Sequence, residues 1–372
     1  MDFEFSEEQE MFRRSVRDFL EKECPRTLVR DIENNRLDYS AGLYEKMAGL
    51  GWLGLMISEE YGGTGGNWVD TAIFYEEAGR ALLQSPHHST VVLAGQSILA
   101  LGSEKQRRDL LPQITQGRLI CAFALTEPEP GPGLSSLATT AATDGKGYVI
   151  SGTKLFIGYA HIADYIITVA RNASGETIML FLVNRENPGL SCTPFATMSG
   201  DRLNEVVLDK VKVSKGAMLG EVAEAEAVEE IVDKAKVMTC AEALGGAQMA
   251  LEMLVDYSKQ RIIFGHPIGA FQALQHKMSD MALAIESARW LVYSAAWMSS
   301  HEIPCAKERA MAQLYTGQIC PRITEEVSHC HGAVALVQDH DMTLYYRRAK
   351  ATQLNLGFSE SYDEIIAREI GL

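Results

Sequence analysis

The hydrophobic residues of this chain change their period twice, and that double switch limits what it can fold into. From Ser6 to about Arg118 they recur at helical spacing, with Phe12, Val16, Phe19 and Leu20 on one face behind a capping box of Ser6 and Gln9. Pro25 closes that helix, and further helices are predicted over about 43–50, 68–83, 88–101 and 104–116, the last opened by Ser103. From about Ile120 to Gly220 the runs shorten. Residues 163–170, 177–183 and 204–213 are apolar or β-branched and are divided by Gly, Asn and Pro turns. No helix-length crossover separates them, which predicts an antiparallel sheet.

From about Ala225 the helical period returns and lasts. Leu244, Ala247, Leu251 and Leu254 form one stripe; Met278, Met281, Ile285, Ala288, Val292 and Ala295 form another. Long helices with short links pack as an antiparallel bundle, and Pro321 should kink the helix that contains it. The expected fold is mainly α with a central β domain. It has an N-terminal helical domain at 1–118, an antiparallel β domain at 119–222 and a C-terminal four-helix bundle at 223–372.

Charge narrows the function. Asp and Glu exceed Lys and Arg, 49 to 34, for a net charge of −15. Sheathing nucleic acid or binding an anionic membrane needs the opposite sign, so neither partner is expected. Seven scattered cysteines without a C-x-x-C pair predict buried thiols in a reducing compartment. The acidic start lacks the order of a signal peptide, and no apolar run reaches the length of a membrane span. The expected location is cytoplasmic.

The tempting motifs divide into weak and useful. Tyr61-Gly62-Gly63-Thr64-Gly65-Gly66 is followed by no Lys-Ser/Thr and leaves no strand of a βαβ unit, so a tight turn is the plain reading. His329-Cys330-His331 and His340 match no zinc spacing, and no metal is expected. No G-x-S-x-G elbow supports a serine hydrolase. More useful is Leu125-Thr126-Glu127-Pro128, where a strand ends in Thr and a Pro/Gly turn offers a hydroxyl and backbone N–H groups to a polar edge. Arg261, beside a Gly-Pro turn and followed by Gln272, suits a phosphate. On residue chemistry alone, the first could be a surface turn and the second a helix–helix corner.

Taken together, these motifs resemble the acyl-CoA dehydrogenases over essentially the whole chain. Tyr61-Gly62-Gly63-Thr64-Gly65 is similar to the family's Y-G-G-x-G. Gly102-Ser103-Glu104-Lys105-Gln106 through Leu111-Pro112 is similar to its G-t-e-e-Q…L-P, and Leu125-Thr126-Glu127-Pro128 to its L-T-E-P. Arg261-x-x-Phe264-Gly265…Phe271-Gln272 is similar to its R-x-x-F-G…F-Q. The resemblance implies non-covalent FAD, an acyl-CoA substrate losing a Cα proton and a Cβ hydride, and electrons passed to an electron-transfer flavoprotein. It also implies a homo- or hetero-tetramer.

The resemblance carries over residue by residue. Thr126 takes the place of the threonine facing the flavin, Phe156 that of an aromatic backing the ring, and Gly158 that of a hydroxyl residue near it. Arg261, Phe264 and Gln272 match positions reaching the FAD of the adjacent subunit, and Gly332 falls in the family's second FAD-contacting stretch. Asp233 and Lys236 stand where the family has D-x-x-R beside the CoA chain, and Lys keeps the charge without the bidentate fork.

Several positions depart from the family. Its Q-x-x-G-G-x-G stretch is His329-Cys330-His331-Gly332-Ala333-Val334-Ala335 here, which puts the adenine-end contact in doubt. The usual Ser-Asp pair after L-T-E-P is Pro132-Gly133. The catalytic carboxylate is missing from both places where members carry it, since those positions are Leu356 and Ala235. Asp233 and Glu360 are the nearest acids along the chain, and neither fits without rearrangement. The resemblance therefore points to the base-lacking subunit of a heteromeric dehydrogenase. A homotetramer with a displaced acid, or a CoA-ester-binding scaffold without redox chemistry, stays open. Which acyl-CoA is taken is not legible.

Overall fold

The computed structural model describes residues 5–34, 36–129, 133–175, 177–220, 225–356 and 359–372. Six helices come first: α1 (Glu7–Glu23), α2 (Arg26–Glu33), α3 (Ala41–Gly49), α4 (Trp68–Ala81), α5 (Gln96–Leu101) and α6 (Glu104–Thr115). Their starts follow from capping. Ser6 with Gln9, Asn67 with Asp70 and Ser103 with Gln106 each close a reciprocal box on the first turn. The segment predicted as one helix over 88–101 begins as a π-helix at His88–Gly95 and continues as α5.

Seven strands follow: β1 (Cys121–Ala124), β2 (Thr140–Thr143), β3 (Gly147–Gly158), β4 (Tyr165–Asn172), β5 (Ile178–Asn184), β6 (Leu190–Pro194) and β7 (Leu203–Ser214). They form one sheet in the order β1-β4-β2-β3-β7-β6, with β5 on the other flank of β4. The expectation of a wholly antiparallel sheet is corrected here. β4 runs parallel to both β1 and β2, with Cys121 opposite Tyr165 and Thr140 opposite Arg171. The crossover from β1 to β4 is made by the β2–β3 hairpin instead of a helix, so helix-length spacing could not reveal it.

The rest is α7 (Ala225–Gln260), the short hairpin β8 (Ile262–Ile263) and β9 (His266–Pro267), then α8 (Gln272–Ser300), α9 (Ala306–His331), α10 (Met342–Leu356) and α11 (Ser359–Glu369). Four long helices, α7 to α10, thus make up the C-terminal part, with α9 packed on α8 and α10. α9 runs continuously past Pro321. No helix of the described residues is long and apolar enough to cross a membrane.

Compactness does not follow chain order. One unit gathers 1–31, 67–83 and 236–372; the other gathers 32–66 and 84–235. The sequence gives α1 and α4 to an N-terminal domain, but here they belong with the C-terminal helices. The reason is a buried charge network in the first unit. Arg13 and Arg289 meet Glu76, Arg17 meets Glu77 in a bidentate pair, and Arg80 meets Glu252 likewise at 2.8 Å. Beside it α4 and α7 cross backbone to backbone, because a Cβ on Gly245 would lie 1.7 Å from the Glu76 carbonyl oxygen and one on Gly79 1.8 Å from that of Glu242. In the other unit, a Cβ on Gly63 would lie 1.9 Å from the Ile57 carbonyl oxygen, which makes the Gly-rich loop a packed turn.

Candidate active site

The end of β1 and the end of β3 meet in the second unit. β1 is buried along its length, and Thr126 emerges exposed just beyond it. The Thr126 carbonyl accepts the Leu155 N–H at 2.9 Å. On either side of it, the ammonium of wholly buried Lys154 donates to the Leu125 carbonyl at 3.0 Å and to Glu127 Oε1 at 2.7 Å. Glu127 also accepts the N–H groups of Ala138 and Thr139. Burial pushes this carboxyl up, but the hydrogen bonds from Lys154, Thr139 and Ala138 outweigh it and hold it below the ordinary carboxylate range.

Two residues after Lys154 the β3–β7 register shifts. Phe156 sits in that bulge at φ +60°, 55% exposed, with its ring 5.5 Å from that of Phe195. Met198 is exposed as well. Around Gly158 an added Cβ would meet nothing within 4 Å. The result is an open apolar shelf with a hydroxyl at its edge. Pro132 lies outside the described residues.

At the start of α7 the structure places Ala235 inside the second unit, 1% exposed, its carbonyl on His88 Nε2 at 3.1 Å. Burial lowers the His88 pKa, and the hydrogen bond to that carbonyl works against it. Asp233 is half-buried on the same stretch of helix.

The first unit holds the remaining candidates in two groups. Leu356, 2% exposed, closes α10 with its carbonyl on the Tyr362 hydroxyl, and the Lys236 ammonium lies 5.7 Å from the Tyr362 ring centre. Leu356 and Lys236 are therefore brought to the same tyrosine. The side chain of Glu360 lies outside the described residues.

The second group is the hairpin after α7. Phe264 and Gly265 both have positive φ, +53° and +79°, which makes a tight two-residue turn. Arg261, Ile262, Ile263, Phe264, Phe271 and Gln272 are all exposed, Phe264 at 89%. Among the described residues the Arg261 guanidinium has no acid or carbonyl partner. Its backbone N–H donates to Tyr257, whose ring stacks on His331 at 4.6 Å. That stack sets Gly332, at φ +72°, near the base of the hairpin. Ala335, where the family has a glycine, is buried, while Val334, Leu336 and Val337 stand exposed beside it.

Two residues escaped the sequence reading. Glu127 enters only as part of the Leu125-Thr126-Glu127-Pro128 motif, and Lys154 is not singled out at all; a lysine two residues before the Phe156 position is the signal that the sequence offers. The histidines at 329, 331 and 340 make no metal group among the described residues. The His331 Nδ1 is bonded to the Val327 carbonyl at 2.8 Å.

These residues fit an FAD in chemistry. In the second unit, an exposed flat ring beside open space, with a hydroxyl at its edge, suits an isoalloxazine; in the first, a guanidinium without an acid or carbonyl partner among the described residues and an amide at a helix start suit dinucleotide phosphates. The fit is incomplete at Ala333 and Ala335, where methyl groups replace close backbone approach.

Comparison with known proteins agrees. Three models cover the chain: the acyl-CoA dehydrogenase N-terminal domain at 6–118, the middle domain at 122–211 and the C-terminal domain at 225–371. A probable acyl-CoA dehydrogenase, YngJ, of Bacillus subtilis is 32% identical with 100% of each chain covered. The CarC subunit of the caffeyl-CoA reductase-Etf complex of Acetobacterium woodii is 30% identical over 98% of each. Among solved structures, butyryl-CoA dehydrogenase of Megasphaera elsdenii superposes with a TM-score of 0.90 at 29% identity, covering 100% of both chains. A chain of the ChsE4-ChsE5 complex of Mycobacterium tuberculosis gives 0.91 at 25%, covering 100% of this chain and 99% of that one. The chain belongs to the acyl-CoA dehydrogenase family, the FAD-dependent oxidoreductases of acyl-CoA thioesters.

Proposed function

We propose that this chain serves the α,β-dehydrogenation of an acyl-CoA thioester as one of two different chains in a heteromeric enzyme, its partner bringing the carboxylate that removes the Cα proton. The observation that carries this reading is the filling of both base positions. Leu356 and Ala235 are aliphatic and packed inside, and neither can accept a proton. The ChsE4-ChsE5 complex, named for two chains, supports the two-chain reading, and the Etf complex named for CarC supports an electron-transfer flavoprotein as electron acceptor.

FAD, when bound, supplies the acceptor for the hydride leaving Cβ. The chain's own residues bind and orient. Thr126 offers its hydroxyl from a fixed strand end, and Phe156 gives the ring a flat apolar backing that excludes water. Asp233 and Lys236 serve the CoA chain. Arg261, Phe264, Gln272 and Gly332 reach the FAD of the neighbouring chain, which accounts for a hairpin left exposed in the single chain.

The test is turnover of the purified chain with an artificial electron acceptor, with and without an acidic paralogue co-produced. The pure chain is expected to be nearly inactive. The paralogue should raise the rate at least by the roughly 10²–10⁴-fold worth of a general base. Robust turnover by the pure chain would return the base to an acid of its own.

A further inference from the structure

We infer that Lys154 and Glu127 are positioning residues: as a buried ion pair they hold Thr126 and Phe156 in the attitude that receives the flavin ring. The inference rests on the FAD reading above and goes beyond it to two residues that touch no ligand themselves.

The geometry is that of a clamp. The Lys154 ammonium grips the residues on both sides of Thr126, through the Leu125 carbonyl at 3.0 Å and Glu127 Oε1 at 2.7 Å. The Thr126 carbonyl is itself held by the Leu155 N–H at 2.9 Å. Glu127 is fixed further by the Ala138 N–H on Oε2 and by the Thr139 N–H, which shares Oε1 with the ammonium. The backbone around Thr126 is thus tied on three sides while its side chain stays exposed.

Lys154 also marks where β3 leaves its register with β7, which resumes at Ile157 opposite Asn204. An inward lysine followed by a bulge turns Phe156 outward at φ +60°, a conformation that a bulky residue keeps only when its surroundings impose it. A buried ion pair is an expensive way to fill space, because an apolar pair of the same volume is often as stable or more so. What an apolar pair lacks is direction. The ammonium has three donors and finds the two flanking acceptors on either side of one exposed threonine.

The test uses the full chain in whatever assembly it purifies. Lys154→Met leaves the carboxylate buried alone. Lys154→Met with Glu127→Gln removes both charges and is the variant expected to fold. Val211→Ala, a buried β7 position elsewhere in the same unit, is the control for general loosening. FAD affinity, melting temperature without flavin, and exchange of the Leu155 amide are measured. The double variant should bind FAD at least tenfold more weakly and exchange the Leu155 amide at least tenfold faster. Val211→Ala should change each less than threefold. Wild-type affinity in the double variant, or an equal loss in Val211→Ala, overturns the clamp. Wild-type protein that takes up no FAD overturns the cofactor reading itself, and the two failures are told apart by that first measurement.

Discussion

The Thr126–Phe156 shelf and the hairpin at 261–272 are both exposed, but they are held in opposite ways. The shelf stands on a wholly buried lysine, a buried carboxylate and paired backbone, so its outward side chains are fixed by contacts within the chain. The hairpin has two strands of two residues, a turn at positive φ, and exposed apolar side chains. A two-stranded ribbon of that size is marginal by itself. A surface built like the shelf is ready before its ligand arrives. One built like the hairpin fits the proposal that another chain completes it.

The sharpest way to break this contrast is through stability. Lys154→Met should cost about 3–5 kcal/mol, because it strands a buried carboxylate. Phe264→Ser should change stability by no more than about 0.5 kcal/mol, as for an exposed position away from packing. Denaturant unfolding of the two variants measures both. Equal costs would mean that the shelf is no more internally held than the hairpin.

Arg261→Ala is the matching test of the hairpin. Stability of the single chain should be unchanged, while FAD retention in the assembly falls by about 1.5–3 kcal/mol, the worth of a charge-assisted hydrogen bond. Flavin content after gel filtration reads it. Unchanged flavin would make Arg261 a surface residue.

Acid should separate the regions as well. Glu127 is held below its ordinary range in the folded chain, so it contributes stability above the unfolded carboxylate value of about 4.3. That contribution is lost as pH falls through the lower folded value. Melting of the wild type should drop more steeply below about pH 4.3 than that of Glu127→Gln. Among the described residues, the hairpin stands on no buried carboxylate. Parallel pH profiles for the two proteins would show that the pair contributes nothing there.

Helix positions were legible because capping and period are local: Ser6 with Gln9 and Ser103 with Gln106 predict their own hydrogen bonds. The mixed sheet was not, since strand direction depends on which distant strand β4 meets. The grouping of α1 and α4 with the C-terminal helices was equally out of reach. It rests on arginines at 13, 17, 80 and 289 finding glutamates far along the chain. Of the site, Thr126, Phe156 and Arg261 could be chosen by motif, and their exposure fits the choice. The Lys154–Glu127 pair joins positions 27 apart, and a charged residue in a strand is ordinarily taken to face water.

The smallest effect concerns the one vacancy on the shelf. Gly158 ends β3 without a positive φ, and a Cβ there would meet nothing within 4 Å. Gly158→Ser should therefore fit without strain. It should also raise stability by up to about 0.5–1 kcal/mol, since glycine in a strand loses more backbone freedom on folding. The same hydroxyl stands next to the space assigned to the flavin ring, where a neutral hydrogen bond is worth about 0.5–1.5 kcal/mol. Tighter FAD binding by up to about tenfold, measured by flavin fluorescence, would place the ring over Gly158 as well as Phe156. A gain in melting temperature without any gain in affinity would confine the ring to the Thr126 side, leaving Gly158 a strand residue that merely tolerates a larger neighbour.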